Sequence, residues 1–168
     1  MVKVRDPYFD NAKFLLISLV IIGHIIEPLI HNNHIVKTTY LFIYSFHMPA
    51  FVLISGYFFK HSHHLPRRII KLLILYLLFS LLYLPYTNVQ PFLLRPFWIL
   101  WFIVSLIFWN VMLPYVTKTK HPILLTILFA LLAGYMDSIG YFLSLSRTVV
   151  FFPFFVIQNP VRVLFHTN

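Results

Sequence analysis

Residues 11–30 read NAKFLLISLVIIGHIIEPLI. A helix needs about 20 mostly apolar residues to cross a bilayer core, and this stretch has that length. Basic residues (Lys3, Arg5, Lys13) precede the apolar run from Phe14, as they do in a secretory leader. No small-x-small cleavage site follows, however, and the run contains His24 and Glu27, so an uncleaved first transmembrane helix is expected. The rest of the chain repeats the theme. Of 168 residues, 60% are hydrophobic, 19% aromatic and only 10% charged, with a mean hydropathy of +0.85. Soluble domains carry about 25% charged residues. The composition excludes a disordered chain and predicts an integral membrane protein.

Working outward from 11–30, further apolar runs lie at 39–59, 69–85, 97–115 and 122–137, with a sixth at 147–164. The expected fold is all-α, a polytopic transmembrane helix bundle of five to six spans. The runs from 69 and 122 are short, so tilt or local thinning is expected there. The connecting loops leave no room for a separate soluble domain. Lys and Arg fix the orientation. With a cytoplasmic N-terminus, that side holds Lys3, Arg5, Lys13, Lys60, Arg67, Arg68, Lys71, Lys118 and Lys120, against Lys37, Arg95 and Arg147 opposite. The positive-inside rule therefore predicts a cytoplasmic N-terminus in a multi-pass protein of the cell membrane, and a bacterial cytoplasmic membrane is the expected setting. The net charge of +9 is scattered between apolar runs instead of forming one basic face, so no nucleic-acid partner is expected.

Ionisable residues within a span are costly, on the order of 2–3 kcal/mol for a central charge, and mark function. On a helical wheel Asp10, Lys13, His24 and Glu27 share an arc of about 100°, with Lys13 and His24 about 16 Å apart along the axis. Two readings fit this stripe. Asp10 and Lys13 reach the headgroups while His24 and Glu27 satisfy each other, or the stripe is a working site. Histidine exchanges a proton near neutral pH and can take one from a hydroxyl, and Glu27 one turn later would orient the ring. In the second span, Pro49 removes a helix hydrogen bond and frees the Ser45 carbonyl beside His47. This predicts either a kinked packing helix or a polar site. Arg67, Arg68 and Lys71 at the start of the third span suit an interfacial anchor or the phosphates of an anionic ligand equally well.

Other chemistries are excluded or disfavoured. The chain has no cysteine, which removes disulfides, zinc–thiolate sites and an acyl-cysteine. It has no Gly-x-Ser-x-Gly, no P-loop among its four glycines, and no His with Asp five positions later. The cluster His61-Ser62-His63-His64 lacks an acidic or thiolate neighbour and reads as a solvated loop, so no metal is expected.

Asp10-Asn11-Ala12-Lys13, ten residues, then Gly23-His24 resembles the basic residue–ten residues–histidine signature of acyltransferase family 3, the integral-membrane O-acyltransferases. The stretch from Tyr44 to Phe51, through His47-Met48-Pro49, with Ser55-Gly56-Tyr57-Phe58 after it, resembles the second helix of the branch named for fucose 4-O-acetylase. Arg68-Ile69-Ile70-Lys71 is similar to the family's Arg-x-x-Arg element. Trp98 to Trp109, and Ser146-Arg147-Thr148 before Phe151-Phe152-Pro153-Phe154-Phe155, also resemble that branch. The resemblance runs from about residue 8 to 155. It implies acetyl transfer from acetyl-CoA to a hydroxyl of a cell-envelope carbohydrate, with membrane lipid around the bundle. His24, Glu27 and His47 would carry the catalysis, Lys13, Arg68 and Lys71 would hold the donor, and Asp10 and Arg147 would add to the polar core. Family members continue past Phe155 with further spans. On that resemblance residues 1–168 form a partial acyltransferase domain with an atypical tail at 156–168, as a premature stop, a frameshift or a split gene would leave. Self-association or a complementing C-terminal half is then expected. Two rival classes remain: a non-catalytic membrane partner or pseudoenzyme, and a small proton-coupled transporter subunit using the Lys13–His24–Glu27 stripe.

Overall fold

A computed structural model describes residues 7–31, 33–59, 65–86, 94–135 and 142–158, and every regular element among them is helical. The chain divides into two compact units, Met1–Phe58 and Phe59–Asn168.

The first unit is an antiparallel pair. Helix α1 (Pro7–Ile26) starts with a proline in its first turn, where the missing N–H costs nothing. It ends at Ile26 because Pro28 has no N–H to offer the carbonyl of His24. The chain tightens into a single 3-10 turn, Glu27–Leu29. This corrects the wheel above: Glu27 is not part of the regular α-helix. Helix α2 (His34–Tyr57) begins five residues before the apolar run that marks it. Asn33 sets that start, its side-chain oxygen accepting from the N–H groups of Ile35 (2.8 Å) and Val36 (3.4 Å). The helix continues through Pro49 to Tyr57. The start of α1 meets the end of α2, where Phe9 stacks on Tyr57 (4.5 Å) and meets Phe58 edge-on (5.1 Å). At the other end Gly23 makes room for Tyr44. A Cβ at position 23 would stand 2.9 Å from Tyr44 Cε2.

The second unit holds α3 (Leu65–Tyr83), α4 (Trp101–Val116), α5 (Pro122–Tyr135) and α6 (Leu145–Val156). Helix α3 packs on α4, α4 on α6, and α5 on α6. Tyr76, Leu100 and Val104 form the α3–α4 core, with Tyr83, Ile103 and Phe108 against it. The α4–α6 seam is polar at its centre. Thr148 donates its hydroxyl proton to the Ser144 carbonyl (2.9 Å), so Ser105 is the donor in the 2.7 Å Ser105–Thr148 contact. Trp109 Nε1–H donates to the Thr148 carbonyl at 2.8 Å. Ahead of α6, Leu143 and Ser144 adopt left-handed φ angles of 47° and 53°. That conformation costs about 1–2 kcal/mol per non-glycine residue. The Leu143 N–H holds the bend by donating to the Leu94 carbonyl at 2.7 Å.

Helices Pro7–Leu29 and His34–Tyr57 are long and apolar enough to cross a membrane. At 16, 14 and 12 residues, α4, α5 and α6 fall short of the usual 20, and α3 carries Arg67, Arg68 and Lys71 in its first two turns. Many apolar residues face outward: Phe14 is 75% exposed, and Ile21, Ile25, Leu41 and Phe42 are exposed with it. The buried positions include Gly23, His47, Ser105, Asn110 and Thr148. Water as solvent would penalise this arrangement, whereas hydrocarbon favours it.

The seam predicts an order of stabilities. Thr148→Val strips the Ser105 hydroxyl of its acceptor inside the protein and should cost about 1–2 kcal/mol. Ser105→Ala leaves Thr148 bonded to Ser144 and should cost less than half of that. Unfolding of the purified protein in mixed micelles by a denaturing detergent measures both, and equal losses would contradict the donor assignment.

Candidate functional site

The end of α1 and the middle of α2 gather the ionisable groups of the first unit. His24 sits on the last turn of α1 and Glu27 on the turn that follows. Their side chains are 23% and 41% exposed, and Nδ1 lies 3.1 Å from Oε2. A carboxylate only accepts, so His24 Nδ1–H donates to Glu27, and in the neutral tautomer that makes this contact the lone pair is on Nε2. That is the tautomer a general base needs. The pairing expected from the sequence is present, and it forms although Glu27 has left the helix, because a 3-10 turn still brings residues three apart together.

His47 lies on α2 and is 1% exposed. Its Nδ1 stands 2.7 Å from the Ile43 carbonyl. A carbonyl cannot donate, so this ring too carries its proton on Nδ1 and its lone pair on Nε2. Between the two histidines stands Tyr44. Its hydroxyl is 3.4 Å from His24 Nδ1. Its ring meets the His47 ring edge-on at 4.7 Å, and the Tyr40 ring stacks on it at 4.1 Å. Reasoning from the sequence placed Tyr44 in a motif and assigned it no role. The available signal was its spacing: Tyr44 and His47 are three apart on one helix and so share a face.

The remaining site residues are spread over both units. In the first, Asp10 is half-buried on α1. Lys13 is also half-buried, and its Nζ lies 4.0 Å above the Phe58 ring. In the second unit, Arg68 is half-buried with its guanidinium carbon 5.4 Å above the Phe59 ring, and Lys71 is exposed. Arg147 is exposed, 5.4 Å above the Trp101 ring. A guanidinium stacked on a ring still presents its in-plane N–H donors, the geometry that grips a phosphate. Residues 61–64, with the three-histidine cluster, lie outside the described residues. Among those described, no three of His, Cys, Asp and Glu stand close enough to hold a metal ion.

A nodulation protein NolL of Mesorhizobium japonicum is 48% identical over 56 residues, and one of Sinorhizobium fredii is 43% identical over 56. Each alignment takes in 32% of this chain and 15% of the relative, so the chain matches only a small part of the length of these curated relatives. No solved structure matches. The family model described as an acyltransferase domain matches residues 6–161, nearly the whole chain. The chain belongs to acyltransferase family 3, a family of membrane-associated proteins.

Proposed function

We propose that this chain carries the catalytic histidine of a multi-pass O-acyltransferase of the cell membrane, moving an acetyl group from acetyl-CoA to a hydroxyl of a cell-envelope carbohydrate. The observation that carries the proposal is the 3.1 Å contact of His24 with Glu27 at the end of an apolar helix. With Nδ1–H committed to Glu27, Nε2 takes the proton of the acceptor hydroxyl as its oxygen attacks the acyl carbonyl. The C–O bond forms, the C–S bond breaks, and the proton on His24 passes to the departing thiolate. The products are an ester and a free thiol, with no net change in His24. The donor supplies an activated acyl carbon and a good leaving group. His47, with its own lone pair on Nε2, is the second base. Lys13, Arg68 and Lys71 would hold the donor's phosphates on the cytoplasmic side, and Asp10 and Arg147 would add to the polar lining. Lys13 lies about 16 Å from His24 along the helix, a distance for the donor's long arm to bridge.

In this reading five to six helices cross the bilayer and the N-terminus is cytoplasmic. Residues 1–168 act as part of a larger acyltransferase bundle, completed by self-association or by a C-terminal half. Support comes from the family membership, the outward-facing apolar residues and the paired His24 and Glu27.

Three measurements test it. In membranes supplied with labelled acetyl-CoA, His24→Ala should lower acetyl transfer by about 10²–10⁴-fold, and Glu27→Gln by about tenfold, while both variants still insert. Undiminished transfer by His24→Ala rejects the base. Proton flux through the reconstituted chain without any need for acetyl-CoA would favour the transporter. Arg68→Ala with Lys71→Ala should raise the donor KM about tenfold or more and spare kcat. For topology, the cysteine-free sequence is a ready background. His31→Cys should react with an impermeant maleimide on intact cells, and Lys118→Cys only after permeabilisation. The reverse pattern would overturn the orientation.

A further inference from the structure

We infer that Tyr44 is the positioning residue for His24, holding the imidazole against α2 while the Glu27 carboxylate keeps Nε2 the basic nitrogen. This inference rests on the acyl-transfer reading above for the use of that nitrogen, and on the geometry alone for the positioning itself.

Glu27 is a weak holder by itself. It sits on a turn beyond the helix, its side chain is 41% exposed, and its flexible arm loses rotamer freedom whenever it grips the ring. Tyr44 comes from the facing helix. Its hydroxyl oxygen lies 3.4 Å from the same Nδ1, where it is a second, longer acceptor for the N–H that Glu27 takes at 3.1 Å. The Tyr44 ring is itself clamped by Tyr40 (4.1 Å, 28° between planes) and by the edge of His47 (4.7 Å, 81°). A rigid aromatic with two χ angles is thus wedged between the two candidate bases. The backbone bears the mark of this arrangement. Gly23, next to His24, costs an α-helix about 1 kcal/mol relative to alanine, and its missing Cβ is the space that Tyr44 Cε2 occupies. Small residues in apolar helices allow such close approach. Gly23 and Tyr44 therefore form one device, with the glycine admitting the ring and the ring holding the histidine.

The test reads the ring directly and needs no turnover. The full chain, labelled with ¹⁵N-histidine in lipid nanodiscs, gives the His24 ring nitrogens by difference from His24→Gln. In the wild type, His24 should show one tautomer, protonated at Nδ1. In Tyr44→Phe, which keeps the ring and loses only the hydroxyl, the tautomer should stay as Glu27 sets it, while the Nδ1 resonance should shift because its N–H then has the Glu27 carboxylate as its one remaining acceptor of the two. Gly23→Ala, which displaces the same ring, should do likewise. Tyr57→Phe, at the other end of the helix pair, should leave the pattern unchanged. In the transfer assay Tyr44→Phe should lower kcat about tenfold with an unchanged donor KM. An unshifted Nδ1 resonance in Tyr44→Phe overturns the inference, as does a wild-type His24 protonated at Nε2. The two readings fail separately. Should His24→Gln retain full transfer, the acyl-transfer reading falls while the nitrogen spectra still judge Tyr44. Should His24→Gln abolish transfer while Tyr44→Phe matches the wild type in spectrum and rate, only the role of Tyr44 falls.

Discussion

In an apolar surround every polar group must find its partner within the protein, and much of this structure follows from that requirement. Hydroxyls on the helices return their protons to their own backbone: Ser18 to the Phe14 carbonyl, Ser55 to Phe51, Thr126 to Pro122. Ser105 passes its proton to Thr148, and Thr148 passes its own to Ser144. Trp109 is fully buried with its N–H on a carbonyl, and His47 is buried with its N–H on another. Asn110 goes only half-way. Its amide donates to the Leu106 carbonyl, while its own buried oxygen has no hydrogen-bond partner among the described residues. Such an exception costs on the order of 1–3 kcal/mol. Polar groups are therefore satisfied inside beside a buried apolar core that includes Trp109, Leu113 and Phe155, and many further bulky apolar side chains lie on the outside.

Charge is managed in a related way. Thirteen Lys and Arg face only four Asp and Glu in the chain, so carboxylates cannot answer most of the cations. Aromatic rings also lie beneath Lys13, Arg68 and Arg147. In the second unit these rings are continuous. Arg68 covers Phe59, which leads through Phe155, Trp109 and Phe102 to Trp101 beneath Arg147. A cation over a ring gains about 0.5–1 kcal/mol at an exposed site and keeps its full charge. An acidic partner would cancel that charge. A chain with 19 Phe and 10 Tyr has rings enough to seat cations in this way.

Local chemistry decided how much could be read in advance. The helical class and the apolar runs were legible because hydropathy and length report them directly. The ends were not, since hydropathy marks where lipid begins and caps mark where a helix begins. Asn33 starts α2 inside a polar stretch that reads as loop, and Pro28 ends α1 inside a run that reads as apolar. Leu65 starts α3 four residues before its apolar run because Pro66 is tolerated in a first turn. The two left-handed residues ahead of α6 were illegible, because neither Leu nor Ser advertises a positive φ.

The same division runs through the site. His24 and Glu27 are three apart, so their contact is a property of one turn of chain, and the sequence displays it. Tyr44 reaches His24 from twenty residues away, across a helix interface, and a helical wheel drawn on one segment cannot contain it. The legible trace of that contact is Gly23. In a segment built mostly of Leu, Ile and Val, a glycine beside the one histidine surrenders helix stability and side-chain contact alike. It is retained with profit only where another group needs the space. Here that group is an aromatic ring from the next helix, and the residue it touches is the candidate base. A glycine adjoining an ionisable residue in an apolar helix thus marks where a non-local partner enters, although it does not name the partner. Fixing a base from two sides, one local and one from a facing helix, ties its geometry to the packing of the pair. Changes in the seam between α1 and α2 should then reach the proton-transfer step with no change in any group that handles the proton.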